Sequence, residues 1–437
     1  MLVTVILMTA PHMAVAQTAG QASDSNGTVR NWTLKECLDY ATENNITLQL
    51  KQNNYLSGQE DTKQARAALF PSLSFGSNQG LTLRNTGEST STFSGSYSLN
   101  ADVTLYNGGR NRMNIEQNEI QNQIDSLDIL SNTNSIHISI IQAYMQCLYA
   151  QEAIQVNENS LELAIAQRDR AKELKNAGLI SKVDYAQLES QVSNSQYQLT
   201  VSQNTLSNYK LQLKQLLELG MNEDLLLKES DADEDNVLRI LPSKQVVYEN
   251  ALANMPEMLS SDLNVKSAEL SEKSARAGFM PTIGMNLGVG TSNIYGSETG
   301  IGQQLSDNLN SSVGMSLTVP IISGRSNRTQ VNKAKYATMN SRLNRANTEK
   351  NILKEVESTY LDAVASQSQY VAAKEQVGYA QQSYDLTNEQ FSLGMKNTIE
   401  VIEAKNELIS SQQSCLQAKY MTLLSMEILD IYQGINK

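Results

Sequence analysis

Two hydrophobic rhythms divide this chain, and the first has a period of two. After Pro71, the residues Leu73, Phe75, Leu81 and Leu83 favour alternate positions, as do Phe93, Tyr97, Leu99, Ala101, Val103 and Leu105. After Pro281 the rhythm returns at Ile283, Met285, Leu287 and Val289, then at Val313, Met315, Leu317 and Val319. Ser, Gly, Thr and Asn fill the positions between. Successive side chains of a strand point to opposite faces, so each run predicts a strand of roughly ten residues, apolar on one face and small-polar on the other, as outer-membrane barrel strands are. The strands alone leave open a half-buried hairpin of a soluble sandwich. Pro71 and Pro281 lack an amide donor and stop the helices before them. The Gly/Ser/Thr/Asn-rich segments 85–92 and 295–310 read as loops facing outside.

The second rhythm is helical and long. From about residue 111 to 177 there is no Pro and no Gly, which at 1.5 Å per residue predicts roughly 100 Å of helix, several times the thickness of a bilayer core. The stripe Ile136, Ile140, Ala143, Cys147, Ala150, Ile154, Asn157, Leu161, Ala164 advances by alternating fours and threes. Leu188, Val192, Ser195, Leu199, Ser202, Leu206, Tyr209, Leu213 and Leu216 continue that spacing. In the second half it recurs from Ile352 and Val356 through Ala363, Tyr370, Ala380 and Tyr384 to Phe391. This is coiled-coil spacing. The stripe is narrow and admits Ser, Ala and Asn, which suits a shell with water on two sides. It also places Cys147 in a seam.

The chain is internally duplicated. ARAALFPSLSFG at 65–76 matches ARAGFMPTIGMN 210 residues downstream. LYNGGRNR at 105–112 answers PIISGRSNR at 320–328, and LKNAGLISKVD at 174–184 answers FSLGMKNTIE at 391–400. Each half reads as helix, Pro break, two strands, Gly turn, long helix, Gly turn, long helix. Residues 17–220 form the first repeat and 244–437 the second, joined by an acidic, Leu-containing segment, 221–243, that fits neither pattern. Residues 1–16 read as an export signal: an apolar run from Leu2 to Ala10, then Ala14-Val15-Ala16 as a small-x-small cleavage site. The run lacks the basic residues that usually precede one, and it is too short to span a bilayer. Beyond it no stretch of eighteen or more apolar residues occurs, so membrane residence would have to be by strands.

Composition narrows the function. A net charge of −12 and a pI near 4.9 argue against a nucleic-acid partner, which needs a basic face. The three Cys (Cys37, Cys147, Cys415) have neither CxxC spacing nor His nearby, so no metal site or disulfide framework is expected. Of the two His, His12 lies in the leader and His137 within a helical run. There is no GxSxG, HExxH or P-loop, and no cofactor or enzymatic activity is expected. Four strands cannot close a barrel, since the smallest single-chain outer-membrane barrels use eight, and an open edge in lipid leaves backbone groups unsatisfied. Several chains must then share one barrel.

This order of elements resembles the TolC-like outer membrane efflux family over essentially the whole mature chain. WTLKECLDYATENN at 32–45 resembles its N-terminal signature, ARAALFPSL its strand entry, LYNGGR its return from barrel to helix, and AGLIS at 177–181 the tip of its first helical hairpin. The resemblance implies an α+β membrane protein. Three copies would share a twelve-stranded outer-membrane β-barrel, four strands from each chain, continued by a long periplasmic α-helical barrel with 221–243 and the C-terminus at its equator. It implies a homotrimer in outer-membrane lipid that acts as the exit duct of a tripartite efflux system exporting small molecules, with a periplasmic adaptor and an inner-membrane pump as partners. A type I protein or peptide secretion duct would share the architecture. A periplasmic adaptor, a structural protein with one hairpin between β-rich domains, is a rival that the duplicated strand pairs disfavour.

The tips carry the residue-level expectations. GMKNTIEVIEAKN at 394–406 stands where family members often carry GxRxxxDVLDA. Glu400 and Glu403 thus match acidic ring positions of a periplasmic gate, Lys396 its basic latch, and Asp184 the acidic partner on the first hairpin. Glu400 and Glu403 are three apart and share a helical face, and threefold symmetry would gather them into a cation-attracting constriction whose carboxylates resist ionisation. The alternative is that they simply solvate a helix. Lys in place of Arg lacks the planar fork and makes a weaker latch. Gly178, Leu179 and Ser181 on one tip and Gly394 and Met395 on the other are the expected adaptor-docking residues.

Overall fold

The computed structural model describes residues 30–86, 88–220, 223–228 and 234–435. The export segment 1–16 and parts of the 221–243 linker lie outside the described residues. In chain order the elements are β1 (Arg30–Trp32), α1 (Leu34–Asn44), α2 (Ile46–Ala67), β2 (Ser72–Thr86), β3 (Glu88–Tyr106), α3 (Arg110–Asn176), α4 (Lys182–Leu216), β4 (Leu225–Leu227), α5 (Glu234–Val237), α6 (Lys244–Asn254), α7 (Pro256–Arg276), β5 (Thr282–Tyr295), α8 (Ile301–Asp307), β6 (Asn310–Thr318), α9 (Ser326–Ser392) and α10 (Thr398–Gln433). Apart from β1, β4, α5 and α8, each half repeats two helices, two strands, a very long helix and a shorter one.

Helices α3 and α9 are 67 residues each, on the order of 100 Å long. Their seams bury the narrow stripe: Ile140, Cys147, Ala150, Asn157 and Ala164 on α3, Leu188, Ser195, Leu199 and Leu213 on α4, and Val356, Ala363, Tyr370 and Tyr384 on α9. Polar seam residues find partners, as buried polar groups must: Asn157 Nδ2 donates to Ser202 Oγ at 2.6 Å. The strand-to-helix junctions repeat too. Gly108 and Gly109 have φ of 71° and 82°, and Gly324 and Arg325 take φ of 54° and 68° at the matching places. A Cβ on Gly108 would lie 2.9 Å from Met280 Cβ, so both the φ and the close approach require glycine.

The sheet is antiparallel in the order β2-β3-β5-β6. Its strands run further than the apolar alternation predicts. β2 has 15 residues and β3 has 19, and the expected 85–92 loop is paired almost to its tip, with Asn85 opposite Ser89 and Thr86 opposite Glu88. Beyond the apolar band both faces are polar. Main-chain pairing continues there without an alternating side-chain signal. The 295–310 loop holds α8 instead of being irregular throughout. Gln304 accepts from Ile294 N at 2.8 Å and donates to Ile294 O at 3.1 Å, and Asn308 Nδ2 donates to Ser292 O at 2.7 Å. These amides satisfy the edge of β5 beyond the end of β6.

A parallel two-stranded ribbon, β1 with β4, joins the N-terminal segment to the linker. The main core cluster gathers Trp32, Cys37, Ile140, Tyr144, Cys147, Leu213, Leu225 and Val237. Tyr144 Oη donates to Lys228 O at 2.7 Å and to Trp32 O at 3.3 Å, tying both ribbon strands to α3. The end of α10 packs through Leu429 and Tyr432 on Val247, Ala251 and Val356. Arg239, from the linker, holds Asp430 at 2.9 and 3.0 Å. The linker and the C-terminal helix therefore meet the middle of the long helices together.

Candidate functional site

Two surfaces of the fold are unlike the rest, and they lie on different elements. The first is one face of the sheet. Leu73 stands opposite Ala101, Ala101 opposite Leu287, and Leu287 opposite Val313. Phe75, Leu99 and Val289 form the next row, and Val103, Met285 and Met315 another. Leu73, Phe75, Leu81, Leu83, Val313, Met315 and Leu317 are exposed. Ser, Gly, Asn and Thr occupy the opposite face, including Ser98 against Gly290 and Asn286 against Gly314. Phe93 and Tyr295 pair with ring centroids 4.7 Å apart at one end of the apolar band, where aromatic residues edge a membrane interface. The outer edges of β2 and β6 have no strand partner among the described residues. No helix among the described residues is long and apolar enough to cross a membrane.

The second surface is the pair of helical tips. Gly178 and Gly394 end α3 and α9 in the left-handed conformation, with φ of 76° and 74°. Each turn closes in the same way. Leu179 N donates to Leu174 O and Gly178 N to Lys175 O, and likewise Met395 N to Gln390 O and Gly394 N to Phe391 O, all at 2.9–3.0 Å. This double bond pattern satisfies the last carbonyls of a helix and requires a residue at ease with positive φ. Leu179 and Met395 point outward at 72% and 71% exposure. The two turns lie side by side, flanking a cleft of about 700 Å³ lined by Leu174, Asp184, Phe391, Lys396 and Thr398.

The expected gate charges take defined local roles within one chain. Ser181 and Asp184 form a capping box at the start of α4, and Asn397 and Glu400 form the matching one at the start of α10. Asp184 Oδ2 accepts from Ser181 N at 3.2 Å and from its hydroxyl at 2.7 Å. Glu400 accepts from Asn397 N at 2.9 Å and from Lys396 Nζ at 2.5 Å. That backbone amide, and then the Lys396 ammonium, hold the Glu400 carboxyl below the usual glutamate range. Glu403 lies exposed one turn further along. Lys396 and Asp184 share the cleft, but each is bonded within its own tip.

Between the tips and the core, the two hairpins touch through polar groups. Gln167 on α3 donates to Tyr384 Oη on α9 at 3.0 Å, and Gln191 on α4 donates to Asn406 on α10 at 3.3 Å. Lys405 on α10 is fully buried. Its Nζ donates to Ser160 O at 2.7 Å and lies 3.5 Å from Ser195 Oγ. Sequence reasoning passed over this residue. Its signal was legible in the spacing Thr398, Val401, Lys405, Leu408, all buried, which puts a lysine at a seam position.

The remaining candidate groups are packed into the helical shell. His137 meets Thr42 Oγ1 at 2.9 Å, and burial lowers its pKa. Cys147 is buried and its thiol is pushed up to about 12 by desolvation, the opposite of an activated nucleophile. No metal-binding cluster occurs among the described residues.

The chain is similar to known proteins over most of its length. The pattern of the family described as "Outer membrane efflux protein" matches residues 37–218 and 247–431. The outer membrane efflux protein BepC of Brucella suis is 22% identical over 391 residues, covering 89% of this chain and 82% of that protein. The alkaline protease secretion protein AprF of Pseudomonas aeruginosa is 22% identical, covering 90% of this chain and 83% of that protein. Among solved structures, CusC superposes with a TM-score of 0.81 at 17% identity, over 92% of this chain and 91% of that one. The outer membrane protein VceC of Vibrio cholerae does so with a TM-score of 0.78 at 15% identity, over 92% and 96%.

Proposed function

This chain belongs to the outer membrane efflux protein family, and on that premise we propose that three copies form the exit duct of a tripartite system that exports small molecules. It is an outer-membrane protein extending into the periplasm and a passive conduit, not an enzyme. The reading rests above all on the open four-stranded sheet with its in-register, exposed apolar face. An exposed apolar patch of this extent needs a covering surface, and unpaired edges in lipid need partner strands. Three copies supply twelve strands and pair every edge. The small-polar face then lines a water-filled lumen, and the long helices continue that lumen away from the membrane.

The tips are where a periplasmic adaptor, itself carried by an inner-membrane pump, docks in this reading. Gly178, Leu179, Ser181, Gly394 and Met395 form that surface, with Leu179 and Met395 presenting exposed apolar side chains on turns that the positive φ of Gly178 and Gly394 closes. Glu400, Glu403, Lys396 and Asp184 form the charged constriction when three chains close around the axis. A second reading, protein secretion, draws on AprF, which has the same 22% identity as BepC and covers 90% of this chain against 89%.

The full-length protein in detergent should sediment as a trimer, and in planar bilayers it should form discrete ion-conducting channels. A stable, folded, water-soluble monomer in analytical ultracentrifugation would overturn both the trimer and the barrel. Export of an unfolded polypeptide, with no change in small-molecule sensitivity on deletion, would favour the second reading.

A further inference from the structure

We propose that Lys405 is a release element in the seam between the two helical hairpins: a buried ammonium with no counter-charge that keeps the second hairpin weakly joined to the first near the tips. Its use in opening a duct rests on the function proposed above; its effect on the seam does not.

The geometry isolates the charge. Lys405 is 0% exposed and sits between Val401 and Leu408, which pack with Tyr384 and Phe391. The oxygens it meets are neutral, the Ser160 carbonyl on α3 and the Ser195 hydroxyl on α4, and an ammonium has three protons to place. The carboxylates on the neighbouring turns lie at exposed positions: Glu158 and Glu162 on α3, Glu189 on α4, Glu375 and Asp385 on α9, and Glu403 and Glu407 on α10 itself. Lys374 on α9 is exposed as well. Tyr384 is the buried titratable group that α9 brings to this cluster, and its hydroxyl is engaged by Gln167. Removing a charge from water without an opposite charge is unfavourable.

The same helix supplies its own comparison. Lys419, fourteen residues along α10, crosses the same inter-hairpin boundary and finds Glu152 at 2.8 Å. Tyr420 Oη donates to that carboxylate at 2.5 Å. Two heptads apart, one lysine is paired and the other is not. The seam is thus pinned towards the core and loose towards the tips, the arrangement expected of hairpins that part at one end.

The pH dependence follows from burial, which alone acts on this ammonium and pulls its pKa from 10.5 to about 8. In separated hairpins the amine is solvated and keeps its ordinary value. Between about 8 and 10.5 the separated seam holds a proton that the packed seam does not, so packing strengthens as pH rises through that window. Below it the amine is charged in both states and the weakening is constant.

Hydrogen exchange of the purified full-length protein at pH 7.5 tests the seam. Peptides covering 398–412 and 157–167 should exchange about tenfold or more slowly in Lys405→Met than in wild type, since one pKa unit of differential interaction is a factor of ten. Lys405→Arg, charged throughout, should exchange no more slowly than wild type. In planar bilayers, wild-type conductance should fall between pH 8 and 10, Lys405→Met should stay low and flat, and Lys405→Arg high and flat. Wild-type exchange rates in Lys405→Met, or the same non-zero conductance profile in both, overturn the proposal. If Lys405→Met does not assemble, wild-type exchange corrected for chemical rate decides: slowing from pH 8 to 10 supports the proposal and no change overturns it. Absence of conductance in every protein with the exchange pattern intact removes the duct and leaves the seam inference standing.

Discussion

Glu400 shows how one carboxylate at this site serves two ends. It closes the capping box of α10 and binds Lys396, so its charge is spent locally before any neighbouring chain is considered. Its depressed pKa has a definite consequence. The cap's stabilisation is present in full above the ordinary value of 4.5 and is lost as pH falls through the lowered one. Acidification should therefore loosen the start of α10, seen as faster corrected exchange in peptides beginning at Asn397. Glu400→Gln keeps the reach of the side chain and should flatten that response. An unchanged acid response in this variant would show that another group controls it.

At the scale of elements, the hairpin turns are matched by backbone need. Gly178 and Gly394 have open space where a Cβ would be, yet both have positive φ. Gly178→Val or Gly394→Val therefore costs the left-handed penalty of about 1–2 kcal/mol without a clash. Assembly should survive, while transport by the complete system should be lost if the tips dock the adaptor. Wild-type export by both variants in a deletion strain would remove docking from this surface. The long helices tolerate a polar seam where neutral side chains bond across it, Asn157 with Ser202 and Gln167 Nε2 with Tyr384. Lys405 bonds across it too, but brings a charge that no carboxylate offsets.

For the whole molecule, threefold assembly would bring the acidic side chains of the tips together. Glu403 is exposed and has no hydrogen bond or ion pair among the described residues, whereas Glu400 has an ammonium at 2.5 Å. Acidic rings attract cations in proportion to uncompensated charge. Glu403→Gln should thus lower cation preference in planar bilayers more than Glu400→Gln does, and Lys396→Ala should raise it by freeing Glu400. Equal selectivity in all three variants would place the constriction elsewhere.

What the sequence by itself determined is local. Pro71 and Pro281, the period-two runs, the seam spacing and the glycine turns each depend on residues within a few positions, so the strand pairs, the 67-residue helices and the tips were legible before any contact was known. The capping boxes Ser181-x-x-Asp184 and Asn397-x-x-Glu400, though local, were not read from the sequence, and they give those carboxylates a plain role. Only the tertiary structure decided the rest. The β1–β4 ribbon joins segments nearly two hundred residues apart, and three-residue strands carry no periodicity. The ends of β2 and β3 depend on main-chain pairing that polar side chains do not announce. Spacing places Lys405 on the seam side of α10, but only α3 and α4 closing over it decide that its ammonium stays buried, because a long side chain at such a position can also carry its charge out to water.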